Sequence, residues 1–192
     1  MNLTRSSMVL VTFAISSMLF ANAQSNDAPI DRLQPLVEAS AARLDLADQV
    51  ALSKWDNGTP VDDAVREAAV IAASVRSGES QNLDSGFVAD FFKAQIEANK
   101  VIQYALLAKW RRSGGPPPHG PVNLVTTVRP QLDRLQIALV SALAKDKEVR
   151  SSLTCKDELA KAVGRYLALH KHHIDALHAI ALDRSLAGTC PQ

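Results

Sequence analysis

Two cysteines, Cys155 and Cys190, are all that this 192-residue chain contains, so exchange chemistry with a third thiol is excluded. An excess of one charge is also missing. The chain carries 21 Lys and Arg against 20 Asp and Glu, a balance that offers no footprint for nucleic acid or an anionic membrane surface. A neutral chain that binds an anion must therefore use a local cluster of cations. The apolar run Met8–Phe20 is about 13 residues long, short of the roughly 20 that span a bilayer. No strand-like alternation of apolar and polar residues occurs anywhere. Helical periodicity is what fills the chain instead, and it predicts an all-α fold.

The N-terminus has the outline of a secretory signal peptide: Arg5, the apolar run, then Ala21-Asn22-Ala23 as a cleavage site. Arg5 is the one charge in residues 1–23, so the mature chain 24–192 has no net formal charge. That chain has a usual size for one domain. Export to an oxidising compartment favours a disulfide between Cys155 and Cys190. It would close a loop of about 36 residues and stabilise by roughly 3–4 kcal/mol. Two buried free thiols are the alternative.

Along the mature chain, Gln24–Pro29 is expected to lead without structure, and a first helix to run from Asp31 to Trp55. Pro35 is tolerable there only near the first turn. Asp56-Asn57-Gly58-Thr59-Pro60 stops it. A second helix is expected over Asp62–Arg76, with Ser77–Asp84 as a polar loop, then a long helix over Phe87–Arg112. The run Ser113–Pro121 holds four prolines and three glycines, which make it a stiff connector. A fourth helix should open near Thr127, with Pro130 in its first turn. Cys155–Leu186 is helical again, with a bend expected near Gly164 or the histidines. The expectation is a single domain of about five to six helices, with a working part in residues 30–145 and a stapled C-terminal part in 146–192.

Several polar residues stand out by spacing. Arg43 and Lys54 are 11 residues apart, three helical turns plus roughly 20°, so both leave one face about 16 Å apart. Ala47 and Val50 form a small apolar floor between them. Such a face could hold a compact dianion, or the two cations could snorkel at a core boundary. Gln95, Asn99 and Gln103 recur every fourth residue, which suits either a solvated face or buried amides that bond a partner helix or ligand. Arg66 follows Asp62 and Asp63 at ion-pair spacing. Arg129 sits in a helix's first turn, against the dipole, and so points mildly to a nearby anion. His170, His172, His173 and His178 crowd one stretch, with His170 and His173 on one face. A solvated face fits them better than a metal site, because no carboxylate or cysteine ligand set is spaced beside them.

Three segments, in order, carry a resemblance: Ala42–Trp55 with Arg43 and Lys54, Pro60–Glu67 with Asp63 and Arg66, and Phe91–Tyr104 with Gln95, Asn99 and Gln103. Together they resemble the secreted chorismate mutases, the exported branch of the all-helical chorismate mutase family. The likeness is densest over Asp31–Arg112 and continues through Arg129 and the two cysteines. It implies an isomerase that converts chorismate to prephenate, with no cofactor, no metal and no covalent intermediate. It further implies a homodimer in which each protomer holds a complete site. By position, Arg43, Arg66 and Arg129 match the cations around the substrate carboxylates, and Lys54 and Gln103 the pair on the ether oxygen. Asn99 matches a polar position near the ring hydroxyl or a carboxylate, and Asp63 a residue that orients Arg66 or Lys54. Val70 departs from the pattern, since some relatives place a polar side chain there. Two other readings stand beside this one. The first is an isochorismate pyruvate lyase on the same fold. The second is a non-catalytic periplasmic helical module that binds metal or a partner through its histidines.

Overall fold

The computed structural model describes residues 28–191, so the expected leader and its cleavage site lie outside the described residues. The fold is all-α, with no strand among those residues. The described residues form seven α-helices rather than five or six: α1 (Pro29–Asn57), α2 (Ala64–Glu79), α3 (Ser85–Ser113), α4 (Arg129–Lys145), α5 (Lys147–Arg150), α6 (Cys155–Leu169) and α7 (Ala176–Leu186). A π-helical turn, Leu124–Val128, leads into α4.

Local chemistry sets the boundaries. Pro29 opens α1 in the first turn, where a missing N–H costs nothing. That start is earlier than expected and leaves Pro35 inside the helix rather than in its first turn. Gly58 ends α1 with φ 62°, a left-handed cap that a side chain rarely adopts. Asp63 caps α2 by accepting the Arg66 N–H at 3.0 Å. α2 continues past Arg76 to Glu79 because Gly78 lets it lie against Val88; a Cβ at Gly78 would stand 2.8 Å from Val88 Cγ2. The helical run breaks at the histidines, one of the two expected places, while Gly164 stays inside α6. The break falls at residues 170–175, where Asp175 starts α7 by accepting the His178 N–H at 2.9 Å.

Cross-links between α1 and α3 fix their relative direction. Gln95 Nε2 donates to Ser40 Oγ at 2.9 Å, Asn99 Nδ2 donates to the Arg43 carbonyl at 3.1 Å, and Trp55 meets Trp110 edge to face at 6.0 Å. Partner numbers rise together, so α1 and α3 run parallel and α2 makes the return. α4 packs on α1 and α2, α6 on α1, and α7 on α1 and α3. Phe91 and Phe92 lie fully buried with Leu33, Leu36, Leu44, Leu139 and Leu182 where these helices meet. Each such side chain is worth about 1.5–3 kcal/mol on burial. A smaller cluster of Ala51, Val61, Leu107 and Trp110 ties the C-terminal ends of α1 and α3 to the connector between α1 and α2. The Cys155–Cys190 disulfide, with Cα atoms 5.8 Å apart, fastens the tail after α7 to the start of α6.

Candidate active site

A cavity of about 830 Å³ opens between α1, α2, α3 and the start of α4. Arg43, Lys54, Asp63, Arg66, Asn99, Gln103 and Arg129 all line it. Because α1 is unbroken from Arg43 to Lys54, the eleven-residue spacing does put both cations on one wall. Val50 lies in that wall between them, while Ala47 is fully buried in the core and forms no part of the floor.

Four carboxylates also line the cavity, and most of their charge is taken up nearby. Arg66 pairs with Asp133 of α4 at 3.2 Å, not with its chain neighbours Asp62 and Asp63. Lys100 collects Asp62 at 2.7 Å, Glu97 at 3.0 Å and Glu67 at 3.5 Å. Arg43, Lys54 and Arg129 are left without an ion pair among the described residues. Arg43 is only 6% exposed, and its Nε has no hydrogen-bond partner. Burial, with the Arg66 charge adding to it, pulls the Arg43 pKa down to about 10, while Asp133 pulls the other way. Burial also lowers the Lys54 pKa, against the opposing pull of Asp63, Glu67 and Asp62. The pocket is thus electropositive where its cations are least hydrated, the arrangement that favours a bound anion.

The amide row on α3 divides. Gln95 is fully buried and belongs to the scaffold, donating to Ser40 Oγ and to the Ser185 carbonyl at 3.2 Å. Asn99 and Gln103 turn toward the cavity. Gln103 Nε2 donates to Asn99 Oδ1 at 2.7 Å, and Asn99 Nδ2 in turn donates to the Arg43 carbonyl at 3.1 Å. This chain fixes the plane of the Gln103 amide and leaves one of its two N–H groups uncommitted. Gln103 Oε1 is buried without a partner. Together with Arg43 Nε it makes two orphaned polar atoms in one cavity, a deficit that a polar ligand relieves.

The connector between α1 and α2 is latched over the site. Lys54 Nζ donates to the Val61 carbonyl, and the neighbouring Asp62 accepts from Lys100 and from the Tyr104 hydroxyl, both on α3. Asp63 acts through the backbone of α2, with Glu67 returning the bond by accepting the Asp63 N–H at 3.2 Å. The sequence reading did not single out Asp62, Lys100 or Tyr104, because their partnership joins residues about 40 positions apart.

The fourth wall comes from the segment after α3. His119 Nε2 meets the Asp56 carboxylate at 3.1 Å and its Nδ1 lies 3.0 Å from the Pro117 carbonyl. Those contacts hold the proline-rich connector against the end of α1 and raise the His119 pKa. Asn123 then caps the π-helical turn through the N–H groups of Val125 and Thr126, each at 3.0 Å. Arg129 follows as the first residue of α4. Gln136, buried in the same wall, went unnoticed in the sequence. It lies seven residues after Arg129, hence on the same helix face, and that spacing was the available signal. Val70 also lines the cavity, as an apolar residue.

His170, His172, His173 and His178 do not line the cavity. His178 bridges Asp175 at 2.8 Å and Asp48 at 3.4 Å, clamping α7 to α1, and these carboxylates raise its pKa to about 9. His170 caps α6 and stacks on Tyr166 at 4.2 Å. Since His173 lies beyond that cap in the turn, the two do not share a helix face. No grouping of three or more potential metal ligands occurs among the described residues. Nor is any described helix long and apolar enough to cross a membrane.

With this geometry in view, comparison with known proteins is direct. A family model described as chorismate mutase type II matches residues 30–104, the span from α1 to Tyr104 on α3. The secreted chorismate mutase of Mycolicibacterium smegmatis is 33% identical over 150 residues, 78% of this chain and 81% of the relative. The crystal structure of chorismate mutase from Burkholderia phymatum matches with a TM-score of 0.81 at 42% identity, covering 86% of this chain and 100% of that one. The Burkholderia thailandensis enzyme gives a TM-score of 0.78 at 36% identity, over 83% of this chain and 99% of its own. A site of unpaired cations and oriented amides, carried on this bundle, therefore has a family: the chain belongs to the chorismate mutases.

Proposed function

We propose that this chorismate mutase acts after export and converts chorismate to prephenate in the cavity between α1, α2, α3 and α4, using residues of a single chain. The observation that carries the reading is the set of three cations, Arg43, Lys54 and Arg129, that face this cavity without a carboxylate partner. Chorismate carries two carboxylates. Its rearrangement breaks an ether C–O bond ahead of C–C bond formation, so negative charge builds on the ether oxygen. Arg43 and Arg129, with Arg66, hold the carboxylates and fold the substrate into its reactive shape. Lys54 keeps two of its three N–H groups after bonding Val61, and Gln103 keeps one. Aimed at the ether oxygen, these donors stabilise charge that appears only in the transition state. Asn99 positions Gln103, Asp63 positions Arg66 through the helix start, and Gln136 supplies a polar contact that Val70 cannot.

The energy scale is sufficient. A rate gain on the order of a millionfold needs about 8 kcal/mol. Three to five charge-assisted hydrogen bonds at roughly 1.5–3 kcal/mol each supply it. The reading extends to cleavage near Ala23, residence in the periplasm or medium, and a homodimer. Val65 and Ile137, exposed on the packed pair α2 and α4, give a dimer apolar surface to bury. Light scattering on the purified protein tests that part.

The test of function is chorismate depletion and prephenate formation by the purified protein, without metal, beside Lys54→Ala and Gln103→Ala. Each substitution is expected to lower kcat by about 10²-fold or more. A wild-type protein that leaves chorismate untouched would sink the reading. Turnover indifferent to both substitutions would remove the assigned roles.

A further inference from the structure

Two arginines are buried among the described residues, Arg43 at 6% and Arg150 at 9% exposure. The first faces the substrate pocket; the second has no part in it. Arg150 Nε donates to the Leu143 carbonyl at 3.0 Å, and the guanidinium carbon stands 4.3 Å from the centroid of the Phe87 ring. Among the described residues its four terminal N–H donors meet no acceptor. Asp146, buried one helical turn before it, acts on Arg150 through space without an ion pair, and Glu148 is taken by Arg32 at 3.1 Å. These terminal nitrogens are not enclosed by protein, so they stay open to an acceptor that approaches from outside.

What lies in front of it is a second cavity, of about 410 Å³. Lys147 adds another cation to its wall, and Leu83, Phe87 and Pro191 give it apolar sides. Thr189 in the same wall is 1% exposed, and its hydroxyl has no partner. Asp84 is the one carboxylate present, and it is engaged in capping α3 through the Phe87 N–H at 2.7 Å. The disulfide at Cys190 holds the Thr189 wall in place. The substrate pocket is remote, since Phe87 precedes Asn99 on α3 by twelve residues, roughly 18 Å.

We propose that this cavity is a second ligand site, for a small carboxylate with an apolar body. The carboxylate meets the free N–H groups of Arg150 and the ammonium of Lys147, with the Thr189 hydroxyl beside it. The body rests against Leu83 and Pro191. The logic is that of Arg43: a buried, unpaired guanidinium, an orphaned polar atom and a cavity that joins them. It does not depend on the mutase activity.

Benzoate is the probe, with benzamide as its uncharged counterpart, titrated into the ¹⁵N-labelled protein with the disulfide intact. Saturable amide shifts at Ser151, Gly188 and Thr189 are expected with benzoate and not with benzamide. Lys147 is exposed, so Lys147→Met preserves the fold; it should weaken this binding by about fivefold. Thr189→Val gives a second, nearly isosteric check. Any benzoate that reaches the cations around Arg43 is reported separately, by shifts at Asn99 and Gln103. Shifts confined to Asn99 and Gln103, equal binding of benzamide, or indifference to both substitutions would each overturn the proposal.

Discussion

In the proposed mechanism, Gln103 is the residue on which the pH behaviour turns. An amide donates a hydrogen bond at any pH, so a broad activity profile through neutrality is expected. Gln103→Glu puts a carboxyl in its place that must be protonated to donate to the ether oxygen. We expect that variant to work only on the acid side. Its kcat/KM should fall about tenfold per pH unit once the carboxyl ionises, and a flat profile between about pH 5 and 8 would remove Gln103 from the ether oxygen. The residue was legible because α3 runs unbroken and carries its amides at a four-residue period. The same period also marks Gln95, and periodicity shows only a shared stripe: the neighbours decide whether each member meets a ligand or a partner helix, the two options the sequence leaves open. Ser40 and the Ser185 carbonyl take Gln95, and neither is close to it in the chain. Gln136 shows the converse, a buried polar residue whose seven-residue offset from Arg129 was visible but carried no obvious chemistry.

At the scale of elements, α1, α3 and α4 could be placed from sequence because each has a strong boundary signal: Asn57-Gly58 after α1, the glycines after Ser113, and Pro130 in the first turn of α4. The connectors were not legible, since they are shaped by contacts between distant segments. The α1–α2 connector is the clearest case. Asp62 meets Lys100 and Tyr104 on α3, and the carbonyl just before it holds Lys54. Asp62 is therefore a positioning residue. Asp62→Asn should lower kcat on the order of tenfold with little change in KM, because Lys54 loses its fixed aim. Thermal stability should stay close to wild type, since the Asp62 side chain is 61% exposed. A large rise in KM with kcat intact would show instead that the latch governs substrate entry. The C-terminal helices were harder to place because residues 170–175 break the run through one capping carboxylate, Asp175, and composition alone favoured no single break point.

Across the whole molecule, every residue assigned to chemistry lies in α1 to α4, while α6, α7 and the disulfide hold those helices together. The His178 clamp belongs to this supporting half, and it has a pH signature. The pKa of His178 in the fold is about 9, above its ordinary 6.5. The stabilisation is therefore complete below about pH 6.5 and is lost as pH rises through about 9. The melting temperature should decline across that interval, and His178→Gln should flatten the decline. An unchanged slope in the variant would assign the loss to other groups.

The unpaired cations of the large cavity also have a thermal consequence. Burial opposes the charged forms of Arg43 and Lys54, and the Arg66 charge adds to this at Arg43, so folding holds these cations in poorly hydrated places at a cost. A dianion that binds only the folded chain then acts as a folding ligand, adding about 2.7 kcal/mol at a concentration of one hundred times its Kd. Prephenate or an unreactive dicarboxylate of similar size should raise the melting temperature, and Arg43→Ala should abolish most of the rise. Absence of any shift at saturating prephenate would mean that the charges are already screened. The enzyme is in this respect least robust when idle, and heating it beside a panel of dianions reads out its substrate range without a single turnover.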